Sequence, residues 1–233
     1  MPTNKTILYN WKIAGEAGYG IMNTGGPIFA KTLVRMGFFT FIYSEYPSLI
    51  RGGHNSMQVS VDDTDITAPY GAIDQLVALN ANACIWHMRE IRLRGVIIYD
   101  PNTVKFKNDG SVDNKWIPFL TGTYSVERAR QRVVPRKDVQ LIAVPFERIA
   151  QEIGGSKIMR NVASVGAALA VFEEKLNYPK TANGLLKPHE LLSMVKEVLT
   201  DVFKEKGEKI VEANVKVVEE GYKVALQILK AKP

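Results

Sequence analysis

The chain has very little cysteine. Cys84 is the one cysteine among 233 residues, which excludes a disulfide framework and also excludes a self-contained iron–sulfur or cysteine-rich zinc site. Any such cluster would have to belong to a partner protein. Cys84 lies in the apolar-periodic stretch NANACIWHMREIRLRG, a setting more typical of a buried structural thiol than of a reactive one.

Long hydrophobic runs are also missing. The longest apolar stretches, residues 37–43 and 96–99, are far shorter than the roughly 20 residues of a membrane-spanning helix, so no membrane partner is expected. The N-terminus, MPTNKTILYNWKIAG, has one early lysine and no small-residue cleavage site, so it does not resemble a signal peptide. These features predict a cytoplasmic protein.

The basic residues outnumber the acidic ones but do not cluster. Thirty lysines and arginines against 24 aspartates and glutamates give a net charge of +6, which suits an anionic ligand, a nucleic acid or an acidic protein. The clustered basic and aromatic surface that nucleic-acid binders use is not evident in the sequence. No nucleic-acid partner is therefore predicted.

Strand and helix patterns alternate along most of the chain. Strand patterns cover residues 6–14, 38–46, 55–61, 95–100 and 139–145, a helix pattern covers residues 21–36, and residues 74–80 lead into a helix through about residue 93. This alternation predicts an α/β fold of the Rossmann-like three-layer kind, with a mostly parallel sheet flanked by helices. The predicted domain covers residues 1–185, and residues 186–233 form a helical C-terminal extension packed on it or on a partner.

The C-terminal third carries three helical patterns. The first has small residues that permit close helix contact: Ala163, Gly166, Ala167 and Ala170. The second begins near Pro188 and the third near Gly207. The apolar face of the third helix is broad for a helix near the end of a chain, so it must pack on the domain or on a partner. That face comprises Ile210, Val211, Val215, Val218, Tyr222 and Leu226.

A polar excursion separates two of the predicted strands, between Asn102 and Asp138. An interruption of this length is either functional or an insertion with its own small structure, and the sequence leaves both open. It includes a basic stretch that either contacts a phosphate or forms a solvated face, and the second interpretation is favoured. Its arginines are Arg128, Arg130, Arg132 and Arg136.

The segment GEAGYG follows the first predicted strand and precedes a helix. Its glycines, Gly15, Gly18 and Gly20, allow a tight strand-to-helix turn whose free amide groups favour a phosphate. Their order, G-x-x-G-x-G, differs from the G-x-G-x-x-G dinucleotide fingerprint. A purely structural turn stays open, and a stand-alone NAD(P)- or flavin-binding module is a minor alternative with Glu45 as its ribose acid.

A second loop, PSLIRGGHN, separates two strand patterns. Ser48 and Arg51 are hydrogen-bond donors, Gly52 and Gly53 expose backbone, and His54 hydrogen-bonds or titrates near neutral pH. One interpretation is a surface turn held by an Arg51–Glu45 pair. The other places this loop beside the glycine turn at the carboxyl edge of the sheet, where open α/β folds bind ligands, so that both loops face one anionic group.

Three motifs in order resemble one enzyme family. They are GEAGYGIMNTGGPIFAKTLVRMGFFTFIYSEYPSLIRGGHNSMQVSV, then RNVASVGAALAVF, then FKEKGEKIVEANVKVVEEGY. Together they resemble the gamma subunit or gamma domain of 2-oxoacid:ferredoxin oxidoreductases over nearly the whole chain. The EYPSLIRGGHN version is most similar to enzymes in which gamma is fused ahead of alpha, often acting on 2-oxoglutarate. One departure is that Ala17 and Tyr19 replace a glycine and a glutamine of the typical GxGGQG turn.

The resemblance implies a reaction that this chain does not perform alone. A 2-oxoacid, coenzyme A and oxidised ferredoxin give acyl-CoA, carbon dioxide and reduced ferredoxin, with thiamine diphosphate, magnesium and 4Fe-4S clusters as cofactors. The sequence has no G-D-G segment with the asparagine pair of a thiamine site and no set of cluster cysteines. The expected partners are alpha and beta subunits, a possible delta subunit, and ferredoxin through the complex, with alpha either separate or beyond residue 233.

The remaining implied role is to position coenzyme A, whose pyrophosphate and 3′-phosphate suit helix N-terminal amides and an arginine fork. No catalytic residue and no metal ligand is assigned to this chain. The expected coenzyme A-binding residues lie in the two loops: Gly15, Gly18, Tyr19, Gly20, Ser48, Arg51, Gly52, Gly53 and His54.

Overall fold

The structure is a computed structural model that describes residues 9–46, 53–69, 71–113, 134–177, 180–181 and 183–231. The strands are β1 (Tyr9–Glu16), β2 (Phe39–Glu45), β3 (His54–Asp62), β4 (Ile73–Ala78), β5 (Ile91–Tyr99), β6 (Gln140–Ala143), β7 (Lys180–Thr181) and β8 (Gly184–Leu185). The helices are α1 (Gly26–Arg35), α2 (Ala81–His87), α3 (Phe146–Gly154), α4 (Arg160–Leu176), α5 (Glu190–Phe203) and α6 (Glu208–Lys230). Short helical turns cover Ile21–Gly25, Met88–Glu90, Lys157–Met159 and Lys204–Lys206.

Six strands form one mixed sheet in the order β2-β3-β1-β4-β5-β6. The pairs β1–β4, β4–β5 and β5–β6 are parallel, whereas β3 is antiparallel to both β1 and β2. Five strands therefore run in one direction, and the predicted mostly parallel α/β sheet with flanking helices is confirmed. The antiparallel direction of β3 was not predicted, and it brings the start of β3 to the carboxyl end of β1.

One face of the sheet carries the main apolar core. Side chains that alternate along β1 and β3, such as Trp11, Ile13 and Val59, are fully buried beneath α1 and α4. The ring of Trp11 stacks on Phe29 of α1 with centroids 4.1 Å apart. This alternation follows from the two-residue period of a strand, which sends every second side chain to the same face.

The opposite face of β1 and β3 is polar and yet buried. Asn10, Lys12, Gln58 and Ser60 project there, and each is no more than 5% exposed. Further along the sheet, α2 and β4 share a smaller apolar cluster that includes Cys84. Buried polar groups need hydrogen-bond partners, so the side chains on this face are expected to hydrogen-bond with one another or with neighbouring elements.

The two long C-terminal helices cross at glycine. A Cβ atom on Gly166 of α4 would lie 2.0 Å from the carbonyl oxygen of Val218, and one on Gly221 of α6 would lie 2.1 Å from that of Ala163. The small residues of α4 thus permit close backbone contact, as the sequence indicated. The division of the chain at residue 185 stays a prediction.

The apolar face of α6 is largely buried against other parts of this chain. Its buried residues are Asn214, Val217, Val218, Gly221, Tyr222 and Ala225. Of the residues predicted for this face, Val218 and Tyr222 are buried, and Val211, Val215 and Leu226 pack against the core, whereas Ile210 is 38% exposed. The closest contacts of α6 are made by small residues that a hydrophobicity pattern does not mark. Packing on the domain accounts for most of the breadth of this face.

Several predicted element bounds were wrong. The helix expected through residue 93 ends at His87, and β5 already begins at Ile91 because Ile91 pairs with Ile73 ahead of an irregularity in the ladder. Gly15 belongs to β1 instead of the turn, since it pairs with Asn55. Helix α3 was not predicted at all.

Within the described residues, none of the helices has the length and apolar character needed to cross a membrane. Cys84 is fully buried, and burial raises the pKa of its thiol to about 12. A thiol with so high a pKa is a poor nucleophile at neutral pH, which agrees with the structural role expected from the sequence.

Candidate functional site

The glycine turn connects the carboxyl end of β1 to the first helix. Gly18 and Gly20 have φ angles of 96° and 75°, a left-handed conformation that glycine adopts without steric cost. The amides of Thr24 and Gly25 both donate to the carbonyl of Gly20, each at 3.0 Å. The turn therefore winds directly into the helical segment Ile21–Gly25, whose leading amides form the kind of N-terminus that attracts anions.

The turn is tied to the start of β3. The amide of Ala17 donates to the carbonyl of Gly53 at 2.8 Å, and Glu16 lies opposite His54 in the β1–β3 ladder. The structure thus brings together the glycine turn and the C-terminal end of the PSLIRGGHN loop, as one sequence interpretation expected. Three of the expected site residues, Ser48, Arg51 and Gly52, lie outside the described residues, and so does any Arg51–Glu45 pair.

Asn161, a residue with no role in the sequence prediction, supports the turn. Its side-chain amide donates to the carbonyl of Tyr19 at 3.0 Å, and the side chain is almost fully buried. Its Oδ1 atom is buried and has no hydrogen-bond partner in the described part of the chain. A Cβ on Gly20 would lie 2.1 Å from the Asn161 amide nitrogen, so a larger residue there would displace the Asn161 side chain in addition to straining the left-handed backbone.

Arg160 brings a positive charge to the same turn. Its guanidinium lies 4.4 Å from the centre of the Tyr19 ring, an arrangement in which the cation is attracted to the ring face. Its Nε donates to the carbonyl of Lys157 at 3.0 Å, and Nη1 lies 3.6 Å from a Glu147 carboxylate oxygen. Arg160 and Asn161 begin the RNVASVGAALAVF motif, so that motif was the signal that could have found them.

Asp100 fixes the neighbouring helix. It follows β5, and its carboxylate accepts hydrogen bonds from the amides of Glu147 at 2.7 Å and Asn102 at 2.8 Å. Burial raises the pKa of Asp100, and these two amide bonds oppose that shift. By anchoring the start of α3, Asp100 holds Glu147 where it pairs with Arg160 and Lys157.

A polar chain of Lys12, Glu90, His87 and His54, called the buried polar chain after its buried members Lys12 and His87, lies on the polar face of the sheet. Its Glu90 side chain is 35% exposed. Nζ of Lys12 lies 2.5 Å from Oε2 of Glu90, and Oε1 of Glu90 lies 2.8 Å from Nδ1 of His87. Nε2 of His87 then lies 2.8 Å from Nε2 of His54. Of these four residues, only His54 was among the site residues expected from the sequence.

The buried polar chain shifts the acidity of its members. Burial, together with the charges of His87 and Lys12, lowers the pKa of His54 to about 3. Burial alone would raise the pKa of Glu90, but hydrogen bonds and charges from His87 and Lys12 outweigh it and lower the pKa to about 2. At neutral pH the structure therefore holds a carboxylate at Glu90 and an uncharged imidazole at His54.

These shifts predict how stability falls in acid. The unfolded chain protonates His54 below its ordinary pKa of 6.5 and Glu90 below 4.5, whereas the folded chain does so only near 3 and 2. The unfolded state thus binds more protons in between, and stability is lost as the pH falls. Thermal melts from pH 7.5 to 3.5 should show wild type losing its advantage over His54→Gln below about pH 6.5, and over Glu90→Gln only below about 4.5. Parallel melting curves at every pH would contradict the assignment.

A family comparison agrees with this fold and site. The family model described as "Pyruvate ferredoxin/flavodoxin oxidoreductase" matches residues 10–224. The chain belongs to this family. The match includes both halves of the described site, from the glycine turn to the first turn of α4.

Curated relatives within this oxidoreductase family are distant. The chain is 25% identical over 152 residues to "2-oxoacid:ferredoxin oxidoreductase subunit alpha" of a Sulfolobus species, covering 62% of this chain and 24% of that one. It is 24% identical over 157 residues to "2-oxoglutarate synthase subunit KorC" of Methanothermobacter marburgensis, covering 67% and 73%. The chain spans about a quarter of the length of the alpha subunit.

Two solved structures share the fold. One is 2-oxoglutarate:ferredoxin oxidoreductase from Magnetococcus marinus with 2-oxoglutarate, coenzyme A and succinyl-CoA bound, at 21% identity and a TM-score of 0.67, covering 97% of this chain and 32% of that one. The other is the gamma subunit of a keto/oxoacid ferredoxin oxidoreductase from Geobacter sulfurreducens, at 20% identity and a TM-score of 0.61, covering 94% and 99%.

Other residues singled out in this family member have structural contacts. Arg136 pairs with Asp138 at 3.0 Å and donates to the carbonyls of Ile91 and Arg92 at 2.8 Å each. Arg136 therefore braces the start of β5 instead of forming a purely solvated face, while Arg128, Arg130 and Arg132 lie outside the described residues.

Glu45 accepts a hydrogen bond from Ser56. In the part of the chain that the structure describes, no three histidine, cysteine or carboxylate side chains group as metal ligands.

Proposed function

We propose that this chain is the gamma component of a 2-oxoacid:ferredoxin oxidoreductase. In this proposal the complex oxidatively decarboxylates a 2-oxoacid, with 2-oxoglutarate favoured, and transfers the acyl group to coenzyme A while reducing ferredoxin. The gamma component positions coenzyme A and assembles the thiamine-binding subunits. Family membership and the fold shared with a gamma subunit support this assignment.

The observation that carries the ligand role is the hydrogen bond between Ala17 and Gly53. It joins the glycine turn, which follows the carboxyl end of β1, to the end of the Arg-Gly-Gly loop. Arg160 adds a cation held over Tyr19 at the same place. Phosphates of coenzyme A match this combination of backbone amides and guanidinium groups, and the related Magnetococcus structure has coenzyme A bound.

In this proposal the redox cofactors are bound by other subunits of the complex. Thiamine diphosphate supplies carbanion chemistry and iron–sulfur clusters supply electron transfer in such a complex. The single cysteine is buried beneath the sheet, and the described residues hold no cluster of metal ligands. Both groups are therefore assigned to partner subunits in this proposal.

Exposed apolar side chains on the edge strand support an assembly role. Phe39, Ile42 and Tyr43 of β2 are each close to 44% exposed, and the adjoining Tyr46 is 71% exposed. Strand β2 ends the sheet order, so its outer edge is not paired with another strand of the described chain. Exposed apolar groups beside a free strand edge are typical of surfaces that another chain covers.

The proposal predicts that the purified chain is inactive alone. It should bind neither thiamine diphosphate nor iron and should not oxidise a 2-oxoacid, because it lacks the ligands for both cofactors. Co-expression with the alpha and beta subunits should give a stable complex that contains both and is active. Iron–sulfur absorbance at stoichiometric level in the isolated chain would contradict the assignment, and tight NAD(P) or flavin binding without partners would favour a nucleotide-binding module.

A further inference from the structure

The buried polar chain of Lys12, Glu90, His87 and His54 ends at an unused atom. Nδ1 of His54 is buried and has no hydrogen-bond partner in the described part of the protein. We propose that the buried polar chain is a proton relay whose free end, Nδ1 of His54, is the proton-accepting atom of the ligand site beside the glycine turn. The relay is a property of this chain's own residues, and only the identity of the ligand rests on the proposed function.

The direction of the relay follows from counting protons at Glu90. As a carboxylate, Glu90 only accepts hydrogen bonds. One of its oxygens receives Lys12 and the other lies 2.8 Å from Nδ1 of His87, so Nδ1 of His87 carries a proton.

A single proton lies between the two histidines. Their Nε2 atoms are 2.8 Å apart, so one nitrogen donates and the other accepts. When both rings are neutral, Nδ1 of His87 holds its proton, Nε2 of His87 is a lone pair, and Nε2 of His54 is the donor. Nδ1 of His54 is then also a lone pair, free to accept a hydrogen bond from a ligand N–H, O–H or S–H group.

Proton transfer through this pair is balanced. When an acidic ligand group gives its proton to Nδ1 of His54, the Nε2 proton of His54 passes to Nε2 of His87, and the ligand group keeps the electron pair of the broken bond. The positive charge then resides on His87 beside the Glu90 carboxylate. His54 is neutral before and after the transfer, in keeping with the depressed pKa that its surroundings impose.

His54 begins β3 directly beside the glycine turn. His54 follows Gly53, which receives the amide of Ala17, and it is paired with Glu16 at the end of β1. The ring of Trp86 lies 4.3 Å from that of His54 and covers it from α2. The charged groups that act on His54 are Lys12 from β1 and Glu90 from the turn before β5.

Nitrogen-15 NMR of the full chain tests the relay directly. The chain has three histidines, so six imidazole nitrogens report every tautomer, and His189, which pairs with Tyr222, is an internal control. At pH 7 we expect His87 to be protonated on Nδ1 and His54 on Nε2. On acidification the pair should take up one proton together, with His54 gaining Nδ1–H and His87 becoming fully protonated.

A matched pair of variants tests the role of the carboxylate. Glu90→Gln should lower the pH at which the pair takes up its proton by roughly one unit, about a tenfold effect, because it removes the adjacent negative charge. Glu219→Gln, which removes an exposed carboxylate paired with Lys196, should leave that pH unchanged. Independent titration of His54 and His87, or a His87 protonated on Nε2 alone, would overturn the relay. Should Glu90→Gln fail to fold, the wild-type tautomers and titration decide the matter.

Adding coenzyme A separates the relay from the proposed function. If coenzyme A binds, as measured by calorimetry, the Nδ1 resonance of His54 should shift while those of His189 do not. Binding without any change at Nδ1 of His54 would overturn its role at the ligand site. If neither the full chain nor the assembled complex binds coenzyme A, the proposed ligand is wrong. The relay is then tested by the tautomers and the joint titration of His54 and His87 alone.

Discussion

Gly221→Ala is expected to lower the free energy of unfolding by about 2 kcal/mol. The new Cβ would lie 2.1 Å from the carbonyl oxygen of Ala163 and 3.0 Å or less from two further backbone atoms. Because backbone cannot rotate away as a side chain does, α4 and α6 must separate, at a cost near the upper end of the roughly 1–3 kcal/mol of overpacking. The gain of about 1 kcal/mol in helix propensity offsets only part of this.

Thermal denaturation checks this prediction. For a chain of this length the expected loss lowers Tm by roughly 4–8 °C, and Gly166→Ala, at the reciprocal contact with Val218, should act in the same direction. Gly71→Ala is the matched control, since a Cβ there meets nothing within 4 Å. Equal melting temperatures for Gly221→Ala and Gly71→Ala would show that the helices do not cross this closely.

The sequence predicts the strands of the sheet, but it does not predict that β3 runs antiparallel to its neighbours. Alternation of Met57, Val59 and Val61 identifies β3 and its buried face, because side-chain period depends only on extended backbone. The same alternation is identical for parallel and antiparallel pairing, so it cannot show that β3 runs against β1. That direction is what places His54 opposite Glu16.

The buried polar chain was hidden for a similar reason. Alternating polar residues along β1, such as Asn10 and Lys12, are typical of a solvent-facing sheet surface, yet both are buried here. The predicted helix through residue 93 also placed Glu90, wrongly, on a regular helical turn. The observed end of α2 at His87 and the tight turn after it bring Glu90 to Lys12 and His87.

Helix α3 shows a signal that was present but missed. Phe146, Ile149 and Ala150 are buried at helical spacing and follow Pro145, which is a common start for a helix. By contrast, the partnership of Asn161 with Tyr19 joins residues 142 positions apart. No local pattern encodes such a contact, and only the folded sheet brings the two together.

Arg51→Lys is expected to raise the apparent KM for coenzyme A roughly tenfold to a hundredfold in the assembled complex. Arginine holds a phosphate with two parallel hydrogen bonds, whereas lysine offers a single point charge. Loss of one charge-assisted contact costs about 1.5–3 kcal/mol, which corresponds to that range. Gly52→Ala should act in the same direction, because an added Cβ restricts close approach of a ligand to the backbone.

The KM for the 2-oxoacid should change much less in both variants. The substrate side chain is expected to lie in partner subunits, so the loop that carries Arg51 contacts coenzyme A alone in this account. Arg35→Lys is a suitable control, since Arg35 forms an ion pair with Asp201 between α1 and α5 and is no part of the candidate site.

The most direct test of the account is the apparent KM for coenzyme A of the assembled oxidoreductase carrying Arg51→Lys, measured beside the Arg35→Lys and wild-type complexes. We expect a rise of roughly tenfold to a hundredfold for Arg51→Lys only, with thermal stability and subunit composition unchanged. An unchanged KM for coenzyme A, accompanied by a lower Tm or by failed assembly, would show that the loop is purely structural and would contradict the proposed ligand role.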